Sequence, residues 1–218
     1  MQALLSEPCL FGYWRSSAAY RVRIALNLKQ ITAKQIPVHL QTGEQKSSDY
    51  RALNPAGLVP LWREPEGFTL AQSLAIIEYL DESHPDPPLL PGDPKQKALA
   101  REIAYAIACD IHPVNNLRVL DKLTADYGAG EEARAAWVRH WIEKGFGSIE
   151  TRLAAVAGRH AVGDRISLAD ICLVPQVYNA RRFALDLASF PRIVAADAEA
   201  RKLPAFVAAA PDAQDDAA

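Results

Sequence analysis

Apolar positions along the chain follow two different periods, and the change between them falls near residue 90. Before it, short runs of β character at residues 9–13, 33–38, 58–63 and 68–70 alternate with helical patterns. From about Pro94 onward the β signals largely vanish and a helical period takes over. Between the two lies His84-Pro85-Asp86-Pro87-Pro88-Leu89-Leu90-Pro91-Gly92-Asp93-Pro94, whose five prolines suit neither a helix interior nor a sheet ladder. The pattern predicts an α/β domain over 1–87, a rigid linker, and an all-helical domain over 88–218.

Within the helical part, Ile103, Ile107 and Ile111, followed by Val114 and Leu117, form a stripe on one face of a long helix. Pro113 has no N–H for the Cys109 carbonyl and predicts a kink near the middle of that helix. A second stripe runs through Val138, Ile142, Ile149, Leu153 and Val156. A third helix starts at Ser167-Leu168-Ala169-Asp170, where Ser167 and Asp170 are spaced as a capping box and Ile166 can staple against Ile171. The tail from Pro211 is acidic and rich in small residues, and is expected to fray. There is no internal repeat.

Composition narrows the classes. The 218 residues are 50% hydrophobic, enough for a buried core, and 24 Lys+Arg against 26 Asp+Glu leave a formal charge of -2. That removes the electrostatic case for nucleic acid or an anionic membrane as a partner. No run approaches the roughly 18 apolar residues of a membrane span. Cys9, Cys109 and Cys172 are odd in number and widely spaced, without a CxxC pair, which argues against a disulfide framework or a structural metal and for a reducing compartment. The first residues lack the basic region of a secretory leader. A cytoplasmic protein is expected.

Three stretches carry candidate chemistry. In Trp14-Arg15-Ser16-Ser17-Ala18-Ala19-Tyr20-Arg21-Val22-Arg23-Ile24-Ala25-Leu26, two serines meet a helix start directly after the first β run. One hydroxyl can cap the helix while the other stays free, and the unsatisfied amides with the helix dipole favour an anion such as a thiolate. Equally, both serines can be plain caps, and Arg15, Arg21 and Arg23 surface charges. In Leu53-Asn54-Pro55-Ala56-Gly57-Leu58-Val59-Pro60-Leu61, a proline before a β run suggests a sheet edge or a cis bond, or simply a turn. In residues 70–82 an amphipathic helix opens at Gln72-Ser73, with Leu74, Ile77 and Leu80 toward the core and Ser73 possible as an N-cap.

Together and in this order, the three stretches resemble the glutathione transferase superfamily. The segment from Ser16 to Leu26 is similar to the signature of its zeta class, the maleylacetoacetate and maleylpyruvate isomerases. The resemblance extends to Cys109-Asp110-Ile111-His112-Pro113-Val114-Asn115-Asn116 and to Leu173-Val174-Pro175-Gln176-Val177-Tyr178-Asn179-Ala180-Arg181-Arg182-Phe183, and so covers essentially the whole chain. It implies a thioredoxin-like N-terminal domain, an all-α C-terminal domain, a homodimer, glutathione as cofactor and a small dicarboxylate as substrate.

Carried over by position, the resemblance makes Ser16, Ser17 and Arg15 the catalytic group, with the Ser16 hydroxyl facing the glutathione sulfur. Val59, before Pro60, would pair its backbone with the cysteinyl part of glutathione. Gln72 and Ser73 would hold its γ-glutamyl carboxylate, and Gln45 and His112 would reach the tripeptide. Substrate carboxylates would fall to Arg15 and Arg182, with Asn116 and Arg118 as further contacts. Arg181 faces about 100 degrees away from Arg182 on a helix, so Arg182 is preferred. The chain departs from the class at Ala18, where a cysteine commonly follows the two serines, so the reacting sulfur must come from glutathione. Two other readings share this frame: a transferase or dehalogenase acting on small α-haloacids, and a non-catalytic binding or scaffold protein.

Overall fold

The computed structural model describes residues 6–217. In chain order these form β1 (Cys9–Gly12), α1 (Ser17–Lys29), β2 (Lys34–Pro37), α2 (Ser48–Leu53), β3 (Leu61–Arg63), β4 (Thr69–Ala71) and α3 (Ser73–Ser83). There follow α4 (Pro94–Tyr105), a π-helical segment (Ala106–Ile111), α5 (His112–Val114), α6 (Leu117–Tyr127), α7 (Glu131–Val156), α8 (Leu168–Arg182), α9 (Pro191–Ala200) and α10 (Pro204–Ala209). Among the described residues no helix is long and apolar enough to cross a membrane.

The chain divides into two compact units. One comprises the described residues up to Pro88 together with those from Leu203 onward. The other is Leu89–Lys202. An undivided helical domain over 88–218 was expected, and the difference lies in α10. Its helical period predicted a helix, but a period does not say which core the apolar face joins. Phe206 is fully buried, its carbonyl accepts from the Tyr20 hydroxyl at 3.4 Å, and the Ala205 carbonyl accepts from Asn27 at 3.0 Å, all within the first unit. Nor is the tail frayed: Pro211 is buried, and the Gln214 amide donates to the Ala208 and Ala210 carbonyls at 2.9 Å each.

The first unit is built on a four-stranded sheet in the order β2-β1-β3-β4. β1 runs parallel to β2 and antiparallel to β3, and β3 antiparallel to β4, with Leu10 opposite Gln35 on one side and Trp62 on the other. Helix α1 has 11 of its 13 residues buried and so lacks the polar face of a surface helix. Three of the buried residues are cations, and each finds an acceptor. Arg21 donates to the Ser73 hydroxyl at 3.3 Å. Arg23 donates to the Ala209 carbonyl at 3.0 Å and the Trp14 carbonyl at 2.9 Å. Lys29 pairs with Asp81 and the His84 carbonyl at 2.5 Å each. In α3 the buried apolar residues are Ile76, Ile77 and Leu80, and Leu74 is only half-buried, so the core face is rotated from the expected one.

In the second unit the Ser167/Asp170 capping box forms as its spacing predicts, with the Asp170 carboxylate accepting from Ser167 N at 3.0 Å and, beyond the helix, from Ala161 N at 2.8 Å. Pro113 acts differently from a kink within a continuing helix. The helix widens to π geometry over Ala106–Ile111, the His112 N–H reaches back to the Ile107 carbonyl, and the helix ends at Val114. The buried stripe therefore stops at Ile111, and Leu117 is exposed. Gly145 of α7 allows the widened turn to approach, since a Cβ there would lie 2.2 Å from Ile111 Cδ1. Along α7 the buried stripe is Val138, Ile142, Phe146, Ile149 and Leu153.

The Lys29–Asp81 pair yields a test. The Lys29 side chain is fully buried and that of Asp81 is 19% exposed. Removing the carboxylate leaves a buried ammonium, whereas removing the ammonium leaves a carboxylate that water reaches. Asp81→Ala should therefore cost about 3 kcal/mol, and more than Lys29→Met. Urea unfolding followed by circular dichroism checks it, and the opposite order would contradict this account.

Candidate functional site

The start of α1 is shaped by a tight turn from Tyr13 to Ser16, closed by the Ser16 amide on the Tyr13 carbonyl at 2.9 Å. Ser16 is the N-cap: its backbone is extended and its Oγ accepts from the Ala19 amide at 3.2 Å. A hydroxyl that accepts in this way keeps its own proton to give away. The Ser16 hydroxyl can therefore cap the helix and still donate. Ser17 is the first helical residue and is buried; Ala18, behind it, is buried as well. Arg15 is half-buried with its guanidinium over the Trp14 ring at 5.1 Å.

A second helix N-terminus in the same unit belongs to α3. Gln72 precedes it with φ 73, ψ 117, a left-handed backbone that costs a non-glycine residue about 1–3 kcal/mol, and its side chain makes no cap hydrogen bond. Ser73 is the first helical residue, not the N-cap, and its Oγ accepts from the buried Arg21 of α1. The two helix starts are thus tied through α1 itself.

Gln45 lies just before α2, and Val59 lies in the loop between α2 and β3. The Val59–Pro60 bond is cis, one of the forms left open by the sequence, and Asp86–Pro87 is cis as well. The Leu58 carbonyl accepts from Tyr50 Oη at 2.6 Å and Asn54 Nδ2 at 2.7 Å, which fixes the peptide just ahead of Val59. Burial pushes the Tyr50 phenol up to about 12, so it stays a donor through the physiological range. Gln45 is 7% exposed, and its Oε1 is buried without a hydrogen-bond partner among the described residues. Gly57 has φ 60, and a Cβ there would lie 2.9 Å from the Gln45 carbonyl oxygen, so the loop and Gln45 pack backbone to backbone.

The remaining candidates lie in the second unit. His112 follows the π segment and is half-buried. Asn116 is the N-cap of α6, its Oδ1 accepting from the Arg118 amide at 3.1 Å. Asn115 lies outside that helix, so Arg118 does not share a helical face with it; Arg118 is exposed. Arg181 pairs with the buried Asp197 at 2.7 Å, while the Arg182 guanidinium sits over the Phe183 ring at 4.6 Å. Burial pushes the Asp197 carboxyl up, against the pull of Arg181.

Three residues that shape the first unit's candidate site, and Asn115 in the second unit, were not singled out in the sequence. Arg21 looked like a surface charge; only the burial of α1 reveals it beneath Ser73. Tyr50 and Asn54 orient the Leu58 peptide, and a loop carries no periodic signal for that. Asn115 has both amide atoms buried without a partner among the described residues, yet in sequence it is indistinguishable from its neighbour Asn116.

Residues 15–83 match the glutathione S-transferase N-terminal domain. The chain is 51% identical over 210 residues to a probable maleylacetoacetate isomerase of Vibrio cholerae, covering 95% of this chain and 97% of that protein. The chain belongs to the glutathione transferases, in their zeta class. A holo structure of a bacterial zeta-class maleylpyruvate isomerase superposes with a TM-score of 0.93 at 45% identity, covering 96% of this chain and 99% of that one. The maleylacetoacetate isomerase of Methylobacterium extorquens, solved with bound malonate and glutathione, also superposes with a TM-score of 0.93, at 39% identity and the same coverage.

The zeta-class first unit fits glutathione on its own chemistry. It offers two helix N-termini, an unpartnered buried acceptor at Gln45 Oε1 and a strained Gln72 whose side chain is not spent on capping. The close packing at Gly57 yields a prediction. Gly57→Ala adds left-handed strain and a backbone contact, and should lower stability by about 1–2 kcal/mol. Thermal unfolding measures this, and an unchanged midpoint would mean that the loop tolerates displacement from Gln45.

Proposed function

We propose that the chain is a cytoplasmic, homodimeric, glutathione-dependent cis–trans isomerase of maleylacetoacetate or maleylpyruvate. The observation that carries the reading is the Ser16 hydroxyl at the α1 N-terminus, with its oxygen already engaged by the Ala19 amide and its proton left over. Among the described residues Cys9, Cys109 and Cys172 form no disulfide, which supports a reducing compartment.

Isomerisation needs the double-bond character of a conjugated alkene to be removed and then restored. Bound glutathione supplies a thiolate for reversible addition to that bond, and is regenerated. The protein's part is to hold that sulfur ionised and to orient the two ends of the substrate. An ordinary thiol has a pKa of about 8.5, and each unit of lowering corresponds to about 1.4 kcal/mol in favour of thiolate. Ser16 donates to the anion, and the amides at the start of α1 add their dipole. Gln72 and Ser73 hold the γ-glutamyl carboxylate, Val59 pairs through its backbone, and Gln45 Oε1 accepts from a peptide N–H; His112 is the further tripeptide contact.

Arg15 and Arg182 bind the substrate carboxylates, for which a planar guanidinium fork is suited. The ion pair between Arg181 and Asp197 supports the choice of Arg182 over its neighbour. Cap formation by Asn116 and the exposure of Arg118 leave those two as secondary contacts.

Four outcomes test the reading. Activity should require glutathione with no net loss of thiol, measured by following substrate and total free thiol together; stoichiometric loss would indicate a transferase or dehalogenase, and failure to bind glutathione a non-catalytic module. Ser16→Ala should raise the pKa of the bound thiol by about one to two units, the equivalent of about 1.5–3 kcal/mol, so that activity falls at neutral pH and partly recovers as pH rises. Thiolate absorbance of the complex against pH reads this directly. Arg182→Ala should cut kcat/KM for the dianion by about 2 kcal/mol while leaving glutathione affinity nearly unchanged. Arg181→Ala should instead cost stability, about 1–2 kcal/mol, by stripping a partner from buried Asp197. A twofold or smaller change for Arg182→Ala would contradict its assignment.

A further inference from the structure

The turn that presents Arg15 and Ser16 is held from behind by the last residues of the chain. Its own closing bond uses only the Ser16 amide and the Tyr13 carbonyl. Both polar groups of the Trp14 backbone, at the crest of the turn, are taken by side chains outside the turn. The Trp14 amide donates to Asp216 Oδ2 at 3.1 Å, across 202 positions of sequence. The Trp14 carbonyl accepts from Arg23 Nη2 at 2.9 Å, and the same guanidinium donates through Nε to the Ala209 carbonyl at 3.0 Å. Arg23 thereby bridges the turn to the end of α10.

Packing holds the turn on the Tyr13 side, where the buried ring meets Trp14 and His39. On the Trp14 side an open pocket of about 280 Å³ is lined by Gly12, Trp14, Pro37, Ala213 and Asp216 among others, and there the hydrogen bonds, not packing, fix the Trp14 peptide. Nor is Asp216 what docks the tail, because Pro211 is buried and Gln214 makes two hydrogen bonds of its own.

We propose that Asp216 and Arg23 are positioning residues, and that residues 210–216 form a strap that fixes the Trp14 peptide and so aims the Arg15 guanidinium and the Ser16 hydroxyl. The functional consequence rests on the isomerase reading above. An amide that loses a charged acceptor rotates toward water, and the two residues after it move with it. The hydroxyl and guanidinium would then be off target while the fold persists.

The test compares Asp216→Ala, Asp216→Asn and Ser16→Ala in the full chain, measuring kcat and KM on the dianion, thiolate absorbance of the glutathione complex against pH, and melting temperature. Asp216→Ala should lower kcat at neutral pH by about five- to tenfold and shift the thiolate titration upward, with the melting temperature within about 2 °C of wild type. Asp216→Asn keeps an acceptor oxygen for the Trp14 amide and should recover kcat to within about twofold of wild type. Wild-type kcat and titration in Asp216→Ala, or an Asn variant as impaired as the Ala variant, would overturn the proposal. Ser16→Ala separates the two readings. If it shifts the titration while Asp216→Ala does not, the strap has no positioning role and the hydroxyl reading stands. If Ser16→Ala leaves the titration unmoved, the hydroxyl reading falls and the proposal falls with it.

Discussion

Helix α1 is buried on nearly every side while carrying three cations, and the arrangement of the first unit follows from finding acceptors for them. A buried cation without a partner costs several kcal/mol, so each one dictates where an oxygen must sit. Arg21 requires the Ser73 hydroxyl, which sets the start of α3 against α1. Lys29 requires Asp81 and the last turn of α3, which fixes the other end of that helix. Arg23 requires the Trp14 and Ala209 carbonyls, and these join the turn before α1 to α10. The helix is thus at once the core of the unit and the template for its polar surface.

This explains how a small unit can present two helix N-termini in fixed relation. The amides at the head of α1 and of α3 attract anions only if each helix start is held rigidly, because the dipole effect fades within a turn. A guanidinium from one helix bonded to the first hydroxyl of the other is a short and direct way to hold them. The left-handed backbone at Gln72 fits the same picture: a strained residue persists where surrounding contacts over-determine its position. Arg181 and Arg182 show a comparable economy in the second unit, where adjacent residues on a helix end point to different partners, one to buried Asp197 and one to the Phe183 ring.

Much of this was legible in the chain, for reasons that can be named. The α/β-then-α order follows from a change of period, and the Ser167/Asp170 box from its spacing. The candidate residues at 16, 17, 59, 72 and 73 came from three local patterns in a characteristic order. What escaped notice depended on contacts between distant segments. Phe206 looks like any apolar residue on a short helix until it is seen under Tyr20. Arg21 and Arg23 are ordinary helix residues until the helix around them is buried. Pro113 announced a disturbance, but whether the backbone would kink or widen depended on Gly145 leaving space for Ile111. The acidic tail has the composition of a frayed end; only the Trp14 amide makes an acceptor there useful.

The return of α10 to the first unit has a consequence for the order in which the molecule can be made. Residues 89–202 are a continuous stretch, so during synthesis their helices have all emerged and can pack before the earlier unit is complete. The sheet and α1 emerge first, yet the hydrogen bonds that Tyr20, Arg23 and Asn27 make to α10 and its end wait for a segment translated roughly 180 residues later. The first unit is therefore completed only when the end of the chain arrives, and until then the face of α1 that α10 covers is open.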